Sequence, residues 1–314
     1  MRWLAGFAAC LCAAAGAIEL PVPVGFPPPV VPADNVPTSP KIDLGRRLFF
    51  ETALSRNGAV SCASCHDPAL AYADGRRRPV GAGGETLPRN APTLVNAAYA
   101  PSLGWLDEGV ATLEAQMEKP LFATDPVEMG LAGREPQVLA LLRADPAYLA
   151  AFALAFPTDE DPVSISNVVR AIASFERTLL SGRSAFDRYV YEDRRAALGP
   201  AARRGMALFY SARAGCADCH GGPAFAGTLR AEGHEAARPL FAATGVAPGK
   251  FKVPTLRNVA RTAPYMHDGS LPTLAAVVEF YDRGGGGGAM RRLHLSAREK
   301  GDLVAFLEGL SDGR

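Results

Sequence analysis

Apolar side chains recur at helical spacing in several stretches of this chain and almost nowhere alternate. Between Val163 and Leu180, the residues Ile165, Val168, Val169, Ile172, Phe175 and Leu179 fall on one stripe, and Gly182 stands where such a helix can end. Lys41 to Glu51 carries a shorter apolar face built from Leu44, Leu48 and Phe49. Near the other end, Ser296-Ala297-Arg298-Glu299 reads as a capping box ahead of Leu303, Val304, Phe306, Leu307 and Leu310, which predicts a terminal packing helix. Residues 18 to 40 hold eight of the chain's 26 prolines, a density that forbids a helix or central strand and predicts an extended surface arm. With so little period-two patterning, the expected fold is mainly α with long loops.

The helical segments repeat. Gly45-Arg46-Arg47-Leu48-Phe49-Phe50 precedes Cys62-Ala63-Ser64-Cys65-His66, and Gly205-Met206-Ala207-Leu208-Phe209-Tyr210 precedes Cys216-Ala217-Asp218-Cys219-His220. This is the pattern of one duplicated unit, a helix leading into a Cys-x-x-Cys-His site. Two thiols about a helical turn apart can add to the two vinyl groups of one haem, and the next residue then brings a neutral imidazole under the iron. The chain is therefore expected to carry two covalent c-type haems in two cytochrome c-like domains, 41–185 and 186–314. Zinc is a poor alternative, because each histidine is jammed against its own thiol and further ligands are lacking.

Composition narrows the setting. The chain has 314 residues, 48% hydrophobic and 21% charged, with a formal net charge of +1, and offers no basic run long enough for nucleic acid or an anionic membrane. The local triplet Arg76, Arg77, Arg78 reads as a solvated loop or a contact to haem propionates or a partner. Arg2, an apolar run from Trp3 to Ala15, and Ala15-Gly16-Ala17 form the pattern of a cleaved export signal spanning residues 1–17. Cleavage there removes Cys10 and Cys12 and leaves only the four cysteines of the two motifs. No membrane span is expected afterwards, and export agrees with haem attachment outside the bacterial cytoplasm, so a periplasmic protein is expected.

The two haems should differ. The histidines are His66, His220, His234, His267 and His294, so none lies between the motifs to close the first iron. Met117 and Met129 are possible substitutes, but carboxylates and amides surround them. An open iron admits peroxide, whereas a closed one passes electrons. Gln116, Glu118, Pro120, Asp125, Glu128 and Met129 follow Trp105 on what reads as a helix broken by Pro120. A buried carboxylate there suits the proton shuttle that cleavage of a peroxide bond needs. These acids read equally as solvated loop charges, and Trp105 as core filler. Between two redox centres, its indole is also a candidate relay.

At this point the chain resembles the bacterial dihaem cytochrome c peroxidase and MauG superfamily across nearly all of its mature length. The segments that carry the resemblance are Leu44-Gly45-Arg46-Arg47-Leu48-Phe49, both haem motifs, Arg89-Asn90-Ala91-Pro92-Thr93, Pro126-Val127-Glu128-Met129-Gly130, Val253-Pro254-Thr255-Leu256-Arg257-Asn258 and Pro264-Tyr265-Met266-His267-Asp268-Gly269. The resemblance implies a calcium ion between the domains, bound by Asn90 and by the backbone carbonyls of Thr262 and Pro264. It also implies Trp105 as the bridging tryptophan, with Gln116 and Glu128 over the peroxide-binding face.

Two departures bear on the branch. Where peroxidases fed by small cytochromes carry a histidine after the first motif, this chain has Ala82 in Val80-Gly81-Ala82-Gly83-Gly84, so the first haem should be open without reductive activation. Where they carry a methionine ligand for the second haem, this chain has Phe280-Tyr281-Asp282, and Tyr281 resembles the tyrosine ligand of MauG. Met266 and Met290 stay as alternative ligands, with Tyr281 packing at a helix end. His267 then falls near the haem, and His234 and His294 at the surface. The proline-rich opening and Ala173-Ser174-Phe175-Glu176-Arg177-Thr178-Leu179 look most like the MbnH branch, MauG-like enzymes encoded beside a copper-binding protein. That likeness implies peroxide-driven oxidation of a partner tryptophan to kynurenine. A detoxifying cytochrome c peroxidase fed by a small redox protein, and a dihaem carrier without catalysis, are the competing expectations. The Gly284 to Gly288 run gives no functional signal.

Overall fold

A computed structural model describes residues 16–106, 109–227 and 241–313. Residues 1–15 of the expected signal, with Cys10 and Cys12, and His234 lie outside the described residues. Among the described residues, ten α-helices fall at Ser39–Phe49 (α1), Leu113–Phe122 (α2), Glu135–Ala144 (α3), Pro146–Ala155 (α4), Ile165–Glu176 (α5), Ala185–Val190 (α6), Pro200–Phe209 (α7), Cys216–Cys219 (α8), Leu274–Asp282 (α9) and Ala297–Glu308 (α10). Among the described residues the only sheet is an antiparallel pair, Phe241–Ala242 (β1) and Phe251–Lys252 (β2). The mainly α expectation agrees with this architecture.

The duplicated segments fold alike. α1 crosses α5 at Gly45, where a Cβ would collide with the Ala171 carbonyl; α7 crosses α10 at Gly205, where it would meet the Asp302 carbonyl. Close backbone approach is what each glycine supplies, and it sets the angle at which each haem-motif helix leaves its partner. The stripe on α5 is buried from Val168 to Phe175, as its periodicity requires. α10 begins with the anticipated box, the Ser296 hydroxyl accepting from the Glu299 N–H while the Glu299 carboxylate accepts from the Ser296 N–H.

The apolar residues form two main clusters. One gathers Leu44, Leu48, Phe49, Leu121, Phe152, Ile172 and their neighbours; the other gathers Phe186, Phe209, Phe225, Val278, Leu303 and Phe306. The proline-rich arm is extended and pinned to the body, with Phe26 packed on Tyr99 and the Tyr99 hydroxyl donating to the Pro27 carbonyl at 2.9 Å.

Three boundaries differ from the sequence expectation. Pro40 belongs to the first turn of α1 rather than to the arm, because the N–H it lacks has no intrahelical partner at that position. Pro120 does not break α2, which runs on to Phe122; in the last turn a proline forfeits only one ladder bond. Trp105 precedes that helix, in a loop. α5 stops at Glu176, and Thr178 and Leu179 continue as tight turns onto Phe175 and Glu176.

Candidate active site: two Cys-x-x-Cys-His centres

Both motifs wind into a single helical turn. Cys62–Ser64 is a 3-10 turn, and the His66 N–H donates to the Cys62 carbonyl at 3.0 Å; in α8 the His220 N–H donates to the Cys216 carbonyl at 2.8 Å. Each imidazole is held by a second backbone bond. His66 Nδ1 lies 3.0 Å from the Tyr72 carbonyl and His220 Nδ1 lies 3.0 Å from the Phe225 carbonyl. A carbonyl only accepts, so Nδ1 carries the proton and Nε2 presents its lone pair, the tautomer an iron needs. Burial pushes both imidazoles below the usual histidine range and keeps them neutral. It also pushes the Cys62 thiol up to about 12 and those of Cys65 and Cys216 to about 11.

The residues just before those that orient the histidines are held by a repeated clasp. Thr93 Oγ1 donates to the Ala71 carbonyl and Thr255 Oγ1 to the Ala224 carbonyl, both at 2.6 Å. Asn96 and Asn258 follow at equivalent places, each with a left-handed backbone. Both hold Ser181: Asn96 Nδ2 donates to its carbonyl at 3.0 Å and Asn258 Nδ2 to its hydroxyl at 2.8 Å. The duplication thus extends from the helices to the groups that set each histidine.

The second centre opens on a cavity of about 380 Å³, bounded by Cys216, Cys219, His220, Tyr281 and apolar side chains that include Leu256, Val278 and Leu303. An apolar chamber with two thiols and an imidazole at its wall fits a thioether-bound haem. Tyr281, near the end of α9, has its hydroxyl without a hydrogen-bond partner among the described residues. Burial, with smaller contributions from Cys219 and Cys216, pushes it up to about 12. Met266 and Met290 line the same cavity, Met290 being 38% exposed. His267 is buried on that wall, stacked on Phe251 at 3.6 Å, whereas His294 is exposed.

At the first centre, Glu128 and Ala82 are neighbours, the Ala82 N–H donating to the Glu128 carbonyl at 2.6 Å. Burial pushes the Glu128 carboxyl above the usual range, and Glu128 in turn helps to raise the Cys65 thiol. Gln116 projects from α2 with its Oε1 buried and without a hydrogen-bond partner among the described residues. Met117 and Met129 are packed into the apolar cluster, and Glu118 and Asp125 are exposed. A carboxyl therefore lies within electrostatic reach of Cys65, on a residue whose backbone is bonded to Ala82.

Trp105 connects the two regions. It lines the second cavity, its Nε1 donates to the Asn90 carbonyl at 2.8 Å, and its ring meets that of His267 edge-on at 6.4 Å. Pro92, two residues beyond Asn90, lines the same cavity and has its backbone hydrogen-bonded to His66. Asn90, Thr262 and Pro264 share this wall. Asn90 Nδ2 donates to the carbonyls of Arg76 and Arg77 at 3.0 and 3.3 Å, which turns its oxygen toward other company. An amide oxygen beside backbone carbonyls is the oxygen-only donor type that suits calcium.

Two desolvated charged groups carry no signal in the sequence, the buried Glu176 and the half-buried Lys252. Glu176 is pushed up to about 8 by burial and bears on the Cys62 thiol, while the adjacent Arg177 pairs with Glu114 at 2.6 Å. Lys252 lines the second cavity. Both lie inside or beside motifs that were noted as segments, but polarity alone gives no sign of their burial. The arginine triplet is partly tied down, Arg76 to Asp74 at 2.7 Å and Arg77 to the Asp268 carbonyl at 3.2 Å. The glycine run folds as a turn against Thr244 and Gly245.

A family model described as di-haem cytochrome c peroxidase matches residues 39–195. The methylamine utilization protein MauG of Methylorubrum extorquens is 40% identical over 292 residues, covering 89% of this chain and 80% of that protein. The cytochrome-c peroxidase IdrP1 of a Pseudomonas species is 38% identical over 331 residues, 91% of this chain and 84% of its own. Among solved structures, a MauG-like protein associated with microbial copper homeostasis superposes with a TM-score of 0.89 at 36% identity, covering 94% of this chain and 96% of that one.

Proposed function

Given that this chain belongs to the di-haem cytochrome c peroxidase family, whose members are di-haem oxidoreductases, we propose that it is a periplasmic enzyme that uses hydrogen peroxide to oxidise a partner protein by long-range electron transfer. The asymmetry of the two centres supports this reading: Tyr281 lines the cavity of His220, while Glu128, bonded through its backbone to Ala82, bears on the Cys65 thiol of the first motif. One functional half is 41–185 and the other 186–314, with residues 1–17 as the export signal.

Cys62, Cys65 and His66 would hold one haem and Cys216, Cys219, His220 and Tyr281 the other, and the two groups would supply the redox chemistry with peroxide. Glu128 takes the proton from the near oxygen of peroxide and returns it to the far one, a task that its raised proton affinity favours. Gln116 donates through its amide nitrogen to the same substrate while its oxygen meets the bound water or peroxide hydrogen. Trp105 relays charge between the two regions through an indole held by Asn90. The phenolate of Tyr281 places negative charge at the second centre and favours its oxidised state. Asn90 Oδ1 and the carbonyls of Thr262 and Pro264 would hold a calcium ion on the wall they share with Trp105. No substrate pocket is needed, because the partner docks on the surface.

The similarity to a protein associated with copper homeostasis supports a copper-binding partner whose tryptophan is converted to kynurenine. The partner encoded beside this chain, treated with the dihaem protein and peroxide, should gain oxygen at tryptophan by mass spectrometry. An unmodified partner, together with peroxide turnover driven by a reduced small cytochrome, would instead support the detoxifying reading that the peroxidase relatives favour.

A further inference from the structure

Lys252 has a side chain that the proposed chemistry leaves unused. Its position is fixed from two sides: its N–H donates to the Trp105 carbonyl at 2.9 Å, and its neighbour in β2, Phe251, is stacked on His267. The side chain lines the cavity that contains Cys216, Cys219, His220 and Tyr281. Among the described residues it makes no ion pair and no side-chain hydrogen bond. Desolvation pulls its ammonium down to about 8, with no carboxylate to offset the loss of water.

The other cationic groups on this wall are committed. The Arg291 guanidinium donates to the carbonyls of Ala212 and Arg213 at 2.8 and 2.6 Å. Desolvation lowers the pKa of His267, whose ring is packed between Phe251 and Trp105. The one acidic residue on the wall, Asp218, lies on the exposed side of α8 and does not pair with Lys252. Lys252 is half-buried on this wall, and a partly desolvated cation without a partner is costly, so a site that keeps one suits an anion. A haem carries two propionate carboxylates, which an apolar chamber of this kind does not otherwise neutralise.

We propose that Lys252 is a positioning residue that pairs with a propionate of the haem in the second cavity and holds that edge of the ring beside Trp105. This rests on the reading of the cavity as a haem site. The backbone bond from Lys252 to Trp105 makes the same residue the link between the bridging indole and the second haem. The cation also lowers the cost of adding an electron to that haem.

The test is a spectroelectrochemical titration of the purified dihaem protein and its variants Lys252→Met and Lys252→Arg, with haem content measured first. In Lys252→Met the reduction equilibrium of the low-spin haem should fall about tenfold, ~59 mV for one electron, and Lys252→Arg should stay near wild type. Lys252→Gln replaces the methionine variant if that one assembles poorly. An unchanged potential in the neutral variants overturns the proposal, as does an equal fall in the arginine variant, which marks a packing effect. Absence of a second covalent haem from the wild-type protein would overturn the reading of the cavity itself, and is told apart by the haem content alone.

Discussion

Glu128 and Tyr281 show how the same physical cause, burial, gives two residues different uses. Desolvation raises both, leaving a carboxyl that holds a proton longer than usual and a phenol pushed up to about 12 that only a cation would ionise. As the base, Glu128 must be ionised, so the rate of reaction with peroxide should rise as pH increases through its raised pKa and then level off. Glu128→Gln should lower that rate by about 10²- to 10⁴-fold and remove this rise, which stopped-flow measurements across pH would read. A variant with wild-type rates and the same pH profile would show that Glu128 is not the shuttle. The haem cysteines and histidines were legible because their chemistry demands adjacency in the chain. Glu176 and Lys252 were not, since what makes each unusual is enclosure by residues distant in sequence.

At the level of elements, the helices were legible where a stripe or a cap states its own boundary, as in α5 and α10. Pro120 misled because its effect depends on how far it stands from the end of the helix, which the local sequence does not announce. The anchor of α6 was equally hidden. Arg257 is completely buried, bonded to Asp187 at 2.6 Å and to the Pro223 carbonyl, and surrounded by the rings of Phe26, Phe186 and Phe225. It joins α6 to the Val253–Asn258 segment that shapes the second cavity. Removing its charge strands the Asp187 carboxylate, so Arg257→Met should cost about 3–5 kcal/mol of stability. Denaturant unfolding of the dihaem protein checks this, and a loss under 1 kcal/mol would mean that packing of the three rings, not the ion pair, anchors the helix.

Over the whole molecule, duplication supplies two similar haem sites and a few substitutions make them unequal. The shared parts are the helix crossings at Gly45 and Gly205, the threonine clasps and the two asparagines that meet at Ser181. The differences are Ala82 and Glu128 at one centre and Tyr281 and Lys252 at the other. Between them, Trp105 is held by Asn90 and Lys252, so the proposed relay shares the contacts that join the halves. The repeat was visible in the sequence as two helices and two motifs, but the junction at Ser181 was not, because a single serine bonded from both sides leaves no pattern. The proposed chemistry depends on the inequality of the two irons, and electron paramagnetic resonance of the ferric protein before and after one equivalent of hydrogen peroxide measures that inequality. One high-spin and one low-spin signal are expected, both lost together on peroxide addition; two low-spin signals that peroxide leaves unchanged would contradict the proposed chemistry.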